Sequence, residues 1–163
     1  FKPLKMVARS IDNQIFEAYA YNEVSLMRQT HLASKVKIKI NDQIKMEELI
    51  CDGVLLSTSA GSTAYNLSAH GSILPLDSNI LALTPISAFR PRRWRGALLS
   101  EKNKIEIIVL DNKDRSSSVT ADNIEFRNIE KVNIESSNEN KCTVLFDKKH
   151  SIEDKILNEQ FNF

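Results

Sequence analysis

The chain has 163 residues, with 22 Lys and Arg against 21 Asp and Glu and a net charge of +1. That balance excludes a general affinity for polyanions, so no nucleic-acid partner is expected, and the length suits one domain with a sizeable core. No apolar run approaches the ~18 residues of a helical membrane span and no signal-peptide pattern opens the chain, so no membrane partner is expected. Cys51 and Cys142 belong to no Cys-x-x-Cys or Cys/His cluster. Both sit in or beside apolar strand-like runs and read as buried thiols of a cytoplasmic protein, with a disulfide as the alternative. The chain begins at Phe1 and enters strand-like sequence at once, which suggests a piece of a longer protein.

Residues 4–9 and 14–19 flank Asp12-Asn13, a natural turn pair, and predict a β-hairpin. Residues 24–28 are expected to extend its second strand beyond Asn22-Glu23. Residues 35–40, Lys-Val-Lys-Ile-Lys-Ile, alternate perfectly; they predict a half-exposed strand whose lysine row discourages edge-to-edge pairing. Asn41-Asp42 marks the next turn, and residues 45–49 lead into the central stretch.

That stretch begins at Asp52-Gly53. Val54, Leu55 and Leu56 form a brief apolar run suited to a strand covered on both faces. Residues 57–62 are small, with amides and hydroxyls uncovered. Ser62 is placed to cap a helix beginning at Thr63, and Gly71 to terminate it. Strand, tight loop and helix in succession leave N–H groups facing a pocket where polar ligand atoms can sit; the plainer alternative is a serine-rich surface turn. No Lys follows Gly61-Ser62-Thr63, so this is not a P-loop. Ser57 and Ser59 lack the flanking Gly pair of a nucleophile elbow.

Residues 74–83 are apolar and irregular, and Pro75 and Pro85 exclude a continuous helix. The four arginines of Arg90-Pro91-Arg92-Arg93-Trp94-Arg95 are either solvated and paired with carboxylates, or steer a phosphate-bearing ligand or a subunit contact. Residues 104–110, 117–120, 124–127, 131–134 and 142–146 read as short strands, separated by Asp111-Asn112, Asp122-Asn123 and Ser137-Asn138 at the spacing of a sandwich. Ser151 is placed to cap a last helix, with Glu153 and Asp154 in its first turn and Ile152, Ile156 and Leu157 as its apolar stripe. The fold expected is mainly β, an antiparallel sandwich-like domain. One short helix follows the Gly-Ser-Thr-Ala-Tyr loop and one lies near the C-terminus. His70 reads as a helix-end residue. No two His stand at metal-ligand spacing and no paired carboxylates follow a metal-loop pattern, so no metal-binding residue is expected.

Taken together, Asp52-Gly53, Ser57-Thr58, Gly61-Ser62-Thr63-Ala64-Tyr65 and Ser68 resemble the signature loop of the NAD kinase family. Asn22-Glu23 matches that family's second motif, and Leu83-Thr84-Pro85-Ile86 its Thr-Pro-Ile segment, in the same order and spacing over about residues 15–125. The Arg90 to Gly96 run resembles a bacterial subgroup. The resemblance implies that Asn22 and Glu23 bind the adenosine ribose hydroxyls of NAD and that Thr63, Ala64, Tyr65 and Ser68 contact adenine and ribose. It also implies that Asp52 faces the nicotinamide side and that Asp122 borders the same pocket; simple turn chemistry is the alternative for Asp122. The residue types suit these roles, since Glu accepts from hydroxyls, an amide both donates and accepts, and Tyr offers an apolar wall with a polar tip. Neighbouring strand residues point to opposite faces, so Asn22 and Glu23 reach one ligand only with special geometry.

In the family reaction ATP phosphorylates the adenosine 2′-hydroxyl of NAD to give NADP, assisted by a divalent metal such as Mg²⁺. The general-base and phosphate-binding roles belong largely to a Gly-Gly-Asp-Gly motif in an N-terminal α/β domain. No such motif occurs here, and Gly occurs only four times. No catalytic residue is therefore assigned to this chain, and a fragment with only the NAD-side contacts is expected to supply affinity with little rate. Ser59 and Ser72 stand where the family usually has Pro, and His70 where it has Gly. The resemblance further implies an NAD-binding domain over residues 1–150, and a helix and tail over residues 151–163 that pack on the N-terminal domain. It implies ATP or another phosphoryl donor, and a homodimer or homotetramer in which a neighbouring subunit completes the pocket. Two other readings stand beside it. One is a non-catalytic dinucleotide-binding or oligomerisation module; the other is a diacylglycerol-type lipid kinase, against which the polar loop speaks.

Overall fold

Period-two alternation builds most of this domain, because a strand with one buried face places every second residue inside. The computed structural model describes residues 1–146 and 152–161. Its strands are β1 (Leu4–Ser10), β2 (Ile15–Ala20), β3 (Glu23–Arg28), β4 (Ser34–Ile40), β5 (Gln43–Cys51), β6 (Gly53–Ser57), β7 (Ile80–Ile86), β8 (Ala97–Ser100), β9 (Ile105–Leu110), β10 (Ser117–Ala121), β11 (Ile124–Phe126) and β12 (Ile129–Ser136). The helices are α1 (Tyr65–Ser68), preceded by a 3-10 turn over Ala60–Thr63, and α2 (Ile152–Phe161). The strands form two six-stranded sheets, one ordered β2-β1-β12-β9-β4-β5 and the other β11-β10-β3-β6-β7-β8. Neighbouring strands are antiparallel in both, as expected of a sandwich-like domain.

The first sheet turns Leu4, Met6, Ala8, Val36, Ile38, Ile105 and Ile107 inward, against Val24, Leu26, Val54, Leu56 and Leu83 of the second. β6 is buried at every residue, as its unbroken apolar run requires, because it is an inner strand with the 57–71 segment beyond it. Pro85 is tolerated in β7 because β8 pairs only with residues from Ile80 to Leu83, so no outer neighbour needs the missing N–H. Asn13, Asn41, Asp42, Asp111 and Asp122 all take left-handed φ, between 50° and 64°, as short polar turn residues do.

Several expectations are corrected. Residues 24–28 do not prolong β2; the chain bends at Tyr21-Asn22 and β3 joins the other sheet. The lysines of β4 guard no edge, since β4 lies between β9 and β5. They instead pair across the outer face, Lys35 with Asp111 at 3.0 Å, Lys37 with Glu47 at 3.1 Å and Lys39 with Glu106 at 2.9 Å. Residues 142–146 form no strand: Cys142 exchanges two backbone hydrogen bonds with Phe1 and Leu145 is exposed. β8 has too short and interrupted a pattern to stand out beside the arginine run. Cys51 is buried, Cys142 is half-buried, and both thiols are free. The Ser151 cap, the side chains of Ile152 and Glu153, and the Asn162-Phe163 end lie outside the described residues. No helix among the described residues is long and apolar enough to cross a membrane.

Candidate functional site

Strand register collects the candidate residues. β3 lies between β10 and β6. Glu23, its first residue, stands opposite Ser57 of β6, and Val24 stands opposite Ala121 of β10. The turn after β10 and the loop after β6 therefore both meet the bend that precedes β3. Asn22 lies in that bend and not in the strand, so the alternation of neighbouring strand residues does not govern the pair.

The bend is held from both sides. The Asp122 carboxylate accepts the backbone N–H of Tyr21 at 2.7 Å, of Asn22 at 2.9 Å and of Glu23 at 3.2 Å. The Asp122 amide returns a bond to the Glu23 carbonyl at 3.1 Å. From the loop side, the Thr58 amide donates to the Asn22 carbonyl at 2.9 Å and the Thr58 hydroxyl to the Tyr21 carbonyl at 2.7 Å. Gly61 packs so closely that a Cβ there would lie 2.3 Å from the Asn22 carbonyl oxygen, which only glycine permits.

The loop itself differs from the expected capped helix. Ser62 caps nothing; its hydroxyl donates to the Ser59 carbonyl at 2.8 Å and accepts the Leu74 amide at 2.9 Å. α1 starts two residues after the expected point, with Ala64 at its N-cap and no side-chain cap. The left-handed residue at its end is His70, φ 63°, and not Gly71. Gly71 is needed for closeness, because a Cβ would sit 2.0 Å from the Asn66 side-chain oxygen. The amides of Gly61, Ser62 and Ala64 are used within the loop and that of Thr58 on the bend, so these four do not face a ligand as the pattern suggested. Buried Asn66 is the internal strut: Nδ2 donates to the carbonyls of Ser62 at 3.0 Å and Ser72 at 2.9 Å, and Oδ1 accepts the Thr84 hydroxyl at 2.6 Å. The Gly-Ser-Thr-Ala-Tyr loop and the Thr-Pro-Ile segment are thus joined by one amide.

Three ionisable groups converge here. Glu23 is half-buried, and its Oε2 is fully enclosed with no hydrogen-bond partner. Burial raises its pKa above the ordinary carboxylate value, and the Asp122 charge adds to the rise. Tyr65 is half-exposed, its hydroxyl 3.6 Å from the Met27 sulfur. Burial raises the pKa of that hydroxyl, with further contributions from the Glu23 and Asp52 carboxylates. Asp52 sits at the corner between β5 and β6, where the chain changes sheets, and accepts Arg28 Nε at 2.6 Å. Glu23, Tyr65 and Asp52 therefore share one electrostatic neighbourhood. Thr63, Ala64 and Ser68 lie on the adjoining segment, and no hydrogen bond among the described residues joins their side chains to it. A half-buried carboxylate with one unsatisfied oxygen is suited to accepting from hydroxyls of a polar ligand once the side chain turns that oxygen outward.

A model of the ATP-NAD kinase C-terminal domain family matches residues 21–146. The chain belongs to this family. It is 51% identical over 161 residues to the NAD kinase of Hyphomonas neptunium, covering 99% of this chain and 63% of that protein. With the NAD kinase of Xylella fastidiosa strain Temecula1 it shares 52% over 162 residues, 99% of this chain and 62% of the relative. The chain thus spans less than two thirds of the length of these curated relatives. Among solved structures, yeast NADH kinase complexed with NADH superposes with a TM-score of 0.75 at 25% identity, over 83% of this chain and 40% of that one. An Archaeoglobus fulgidus NAD kinase in complex with ATP gives 0.69 at 25% identity, over 85% and 51%.

For an NAD kinase C-terminal domain, pattern-reading overlooked Arg28 and Asn66 and took Thr58 only as part of the loop motif. Arg28 and Thr58 find their partners only through strand pairing. Asn66 carried a faint signal, as the one amide side chain between Tyr65 and the apolar Leu67. Among the described residues no group of three or more His, Cys, Asp or Glu is placed to hold a metal ion. On its other side, the loop lines a separate cavity of 210 Å³ with Ser59, Ala60, Thr63, Leu74, Phe146 and Ile156. That cavity is predominantly apolar and, of the predicted site residues, includes Thr63 and none of Glu23, Tyr65, Asp52 and Asp122.

Proposed function

We propose that this chain supplies the NAD-binding part of an NAD kinase, which transfers a phosphoryl group from ATP or another donor to the adenosine 2′-hydroxyl of NAD and so forms NADP. The observation that carries the reading is Glu23: a carboxylate oxygen enclosed without a partner, on a bend clamped from two sides, beside Tyr65. In this reading Glu23 accepts from the adenosine ribose hydroxyls and Asn22 adds an amide to the same sugar. The Thr63-Ala64 backbone reads the purine edge, while Tyr65 and Ser68 flank the nucleoside. Asp52, charge-paired with Arg28, accepts from the carboxamide on the nicotinamide side. The NADH complex of the yeast neighbour and the ATP complex of the archaeal one are the support for dinucleotide and phosphoryl-donor classes.

The chain's own share of the chemistry is to bind and orient the dinucleotide; Mg²⁺, where the intact enzyme uses it, would neutralise developing phosphate charge. Phosphoryl transfer depends on positioning and charge stabilisation, and the residues present supply the first. A cytoplasmic homodimer or homotetramer, with a neighbouring subunit completing the pocket, belongs to the same reading. Titration of NAD against the protein, Glu23→Ala and Tyr65→Phe tests it. Glu23→Ala is expected to weaken binding about tenfold or more, from the loss of charge-assisted hydrogen bonds; equal affinities for all three proteins would end the proposal.

A further inference from the structure

We infer that Asp122 is a positioning residue, which sets the place of Glu23 through the 21–23 backbone without itself holding the ligand. This rests on the NAD-binding reading of Glu23. The geometry is that of an anion nest: three consecutive N–H groups, of Tyr21, Asn22 and Glu23, converge on one side chain within 2.7–3.2 Å. Two of the three meet Oδ1 and the third takes Oδ2, so both carboxylate oxygens already serve the bend. The same side chain sits at left-handed φ 50° in the β10–β11 turn, a conformation an Asp adopts at low cost. The Asp122 amide also binds the Glu23 carbonyl. Its carboxylate is thus coupled to Glu23 by backbone and by charge.

Two consequences follow from that double coupling. Mechanically, the bend cannot rotate without breaking three charge-assisted bonds, so the Glu23 side chain leaves the sheet in one direction. Electrostatically, Asp122 is a like charge beside a carboxylate already disfavoured by burial. The other groups facing this cluster are the Tyr65 hydroxyl from α1 and the Asp52–Arg28 pair from the β5–β6 corner and β3. Asp122 therefore raises the pH at which Glu23 becomes a competent acceptor, while holding it where acceptance occurs.

The test uses Asp122→Asn, nearly isosteric and tolerant of the same turn conformation, and Asp122→Glu, which keeps the charge but displaces it by a methylene. In the ligand-free protein, hydrogen exchange of the 21–23 amides should speed up about tenfold or more in both variants, because their charged acceptor is lost or moved. NAD affinity should fall by about tenfold in both at neutral pH. The pH midpoint of NAD binding should move to lower pH in Asp122→Asn and stay near the parent value in Asp122→Glu. Unchanged amide protection, or a midpoint that Asp122→Asn leaves in place, overturns the assignment. A direct ligand contact would lower affinity without altering exchange in the free protein. Glu23→Ala run alongside separates the two proposals: if it binds NAD as the parent does, the dinucleotide reading fails, while the exchange experiment still decides whether Asp122 holds the bend.

Discussion

The Asn66 side-chain oxygen accepts the Thr84 hydroxyl at 2.6 Å, with both residues buried, and this one bond ties the loop over α1 to β7. An interior amide satisfied on both ends fixes a unique arrangement, and truncating it strands its partners without water. Asn66→Ala should cost about 3 kcal/mol, since it leaves the Thr84 hydroxyl and two carbonyls unpaired. Thr84→Val removes a single donor and should cost about 1–2 kcal/mol. Urea denaturation of both variants measures the difference; equal losses would show that the donor half of the amide contributes nothing.

Gly61 tests the contact between loop and bend. A methyl group there meets the Asn22 carbonyl oxygen at 2.3 Å and the Asn22 carbonyl carbon at 2.5 Å, and both belong to rigid backbone. Gly61→Ala should therefore destabilise the fold by about 1–3 kcal/mol, the usual range for overpacking. It should also displace Asn22, and with it Glu23. Calorimetry of NAD binding at a temperature well below unfolding should show reduced affinity, whereas alanine at an exposed loop position such as Ser72 should show none.

Glu23 and Glu106 should respond to acid in opposite ways. The folded pKa of Glu23 is raised by burial and by Asp122, so the native state holds that proton more tightly than the unfolded chain does. Its ionisation opposes folding at neutral pH, and this penalty disappears as pH falls through the raised value toward the ordinary one. Glu23→Gln should thus stabilise the protein at neutral pH, with the advantage fading in acid. Glu106 is lowered by its hydrogen bond from Lys39 and by the charges of Lys39 and Lys131. Its contribution is present above the ordinary carboxylate pKa and is lost as pH falls through the folded value, so Glu106→Gln should destabilise at neutral pH. Thermal melts across the acid range compare the two slopes.

The thiols should differ in reactivity. Burial pushes Cys51 up to about 12, with the Asp52 charge adding to the rise and the Gly53 amide opposing it. Alkylation requires thiolate and access. In the folded protein at about pH 8, iodoacetamide should label half-buried Cys142 well before Cys51, and denaturant should abolish the difference. Peptide mass spectrometry reads the order directly.

Much of the sandwich was legible in the sequence because burial on one face leaves a period of two, as in residues 35–40, and because Asn and Asp mark the turns. Position within a sheet was not. Nothing local distinguishes β4 as an inner strand or β3 as a member of the second sheet, since both depend on partners far along the chain. The loop was found as a loop, but its cap was misassigned: Ser62 has two suitors, the local helix amide and the distant Leu74 amide, and the distant one wins. The site was legible as motifs, whereas the Arg28–Asp52 pair and the three-amide seat of Asp122 emerge only from antiparallel pairing, which for Asp122 joins residues about 100 positions apart.

The bend at Tyr21-Asn22 is also where the polypeptide steps from one layer of the sandwich to the other. Glu23 is consequently mounted on a joint between two plates. The bonds from Asp122 and Thr58 fasten that joint to the second plate alone. Substitutions on the opposite plate, such as Ile107→Val, should therefore lower stability by about 1 kcal/mol and leave ligand affinity where it was.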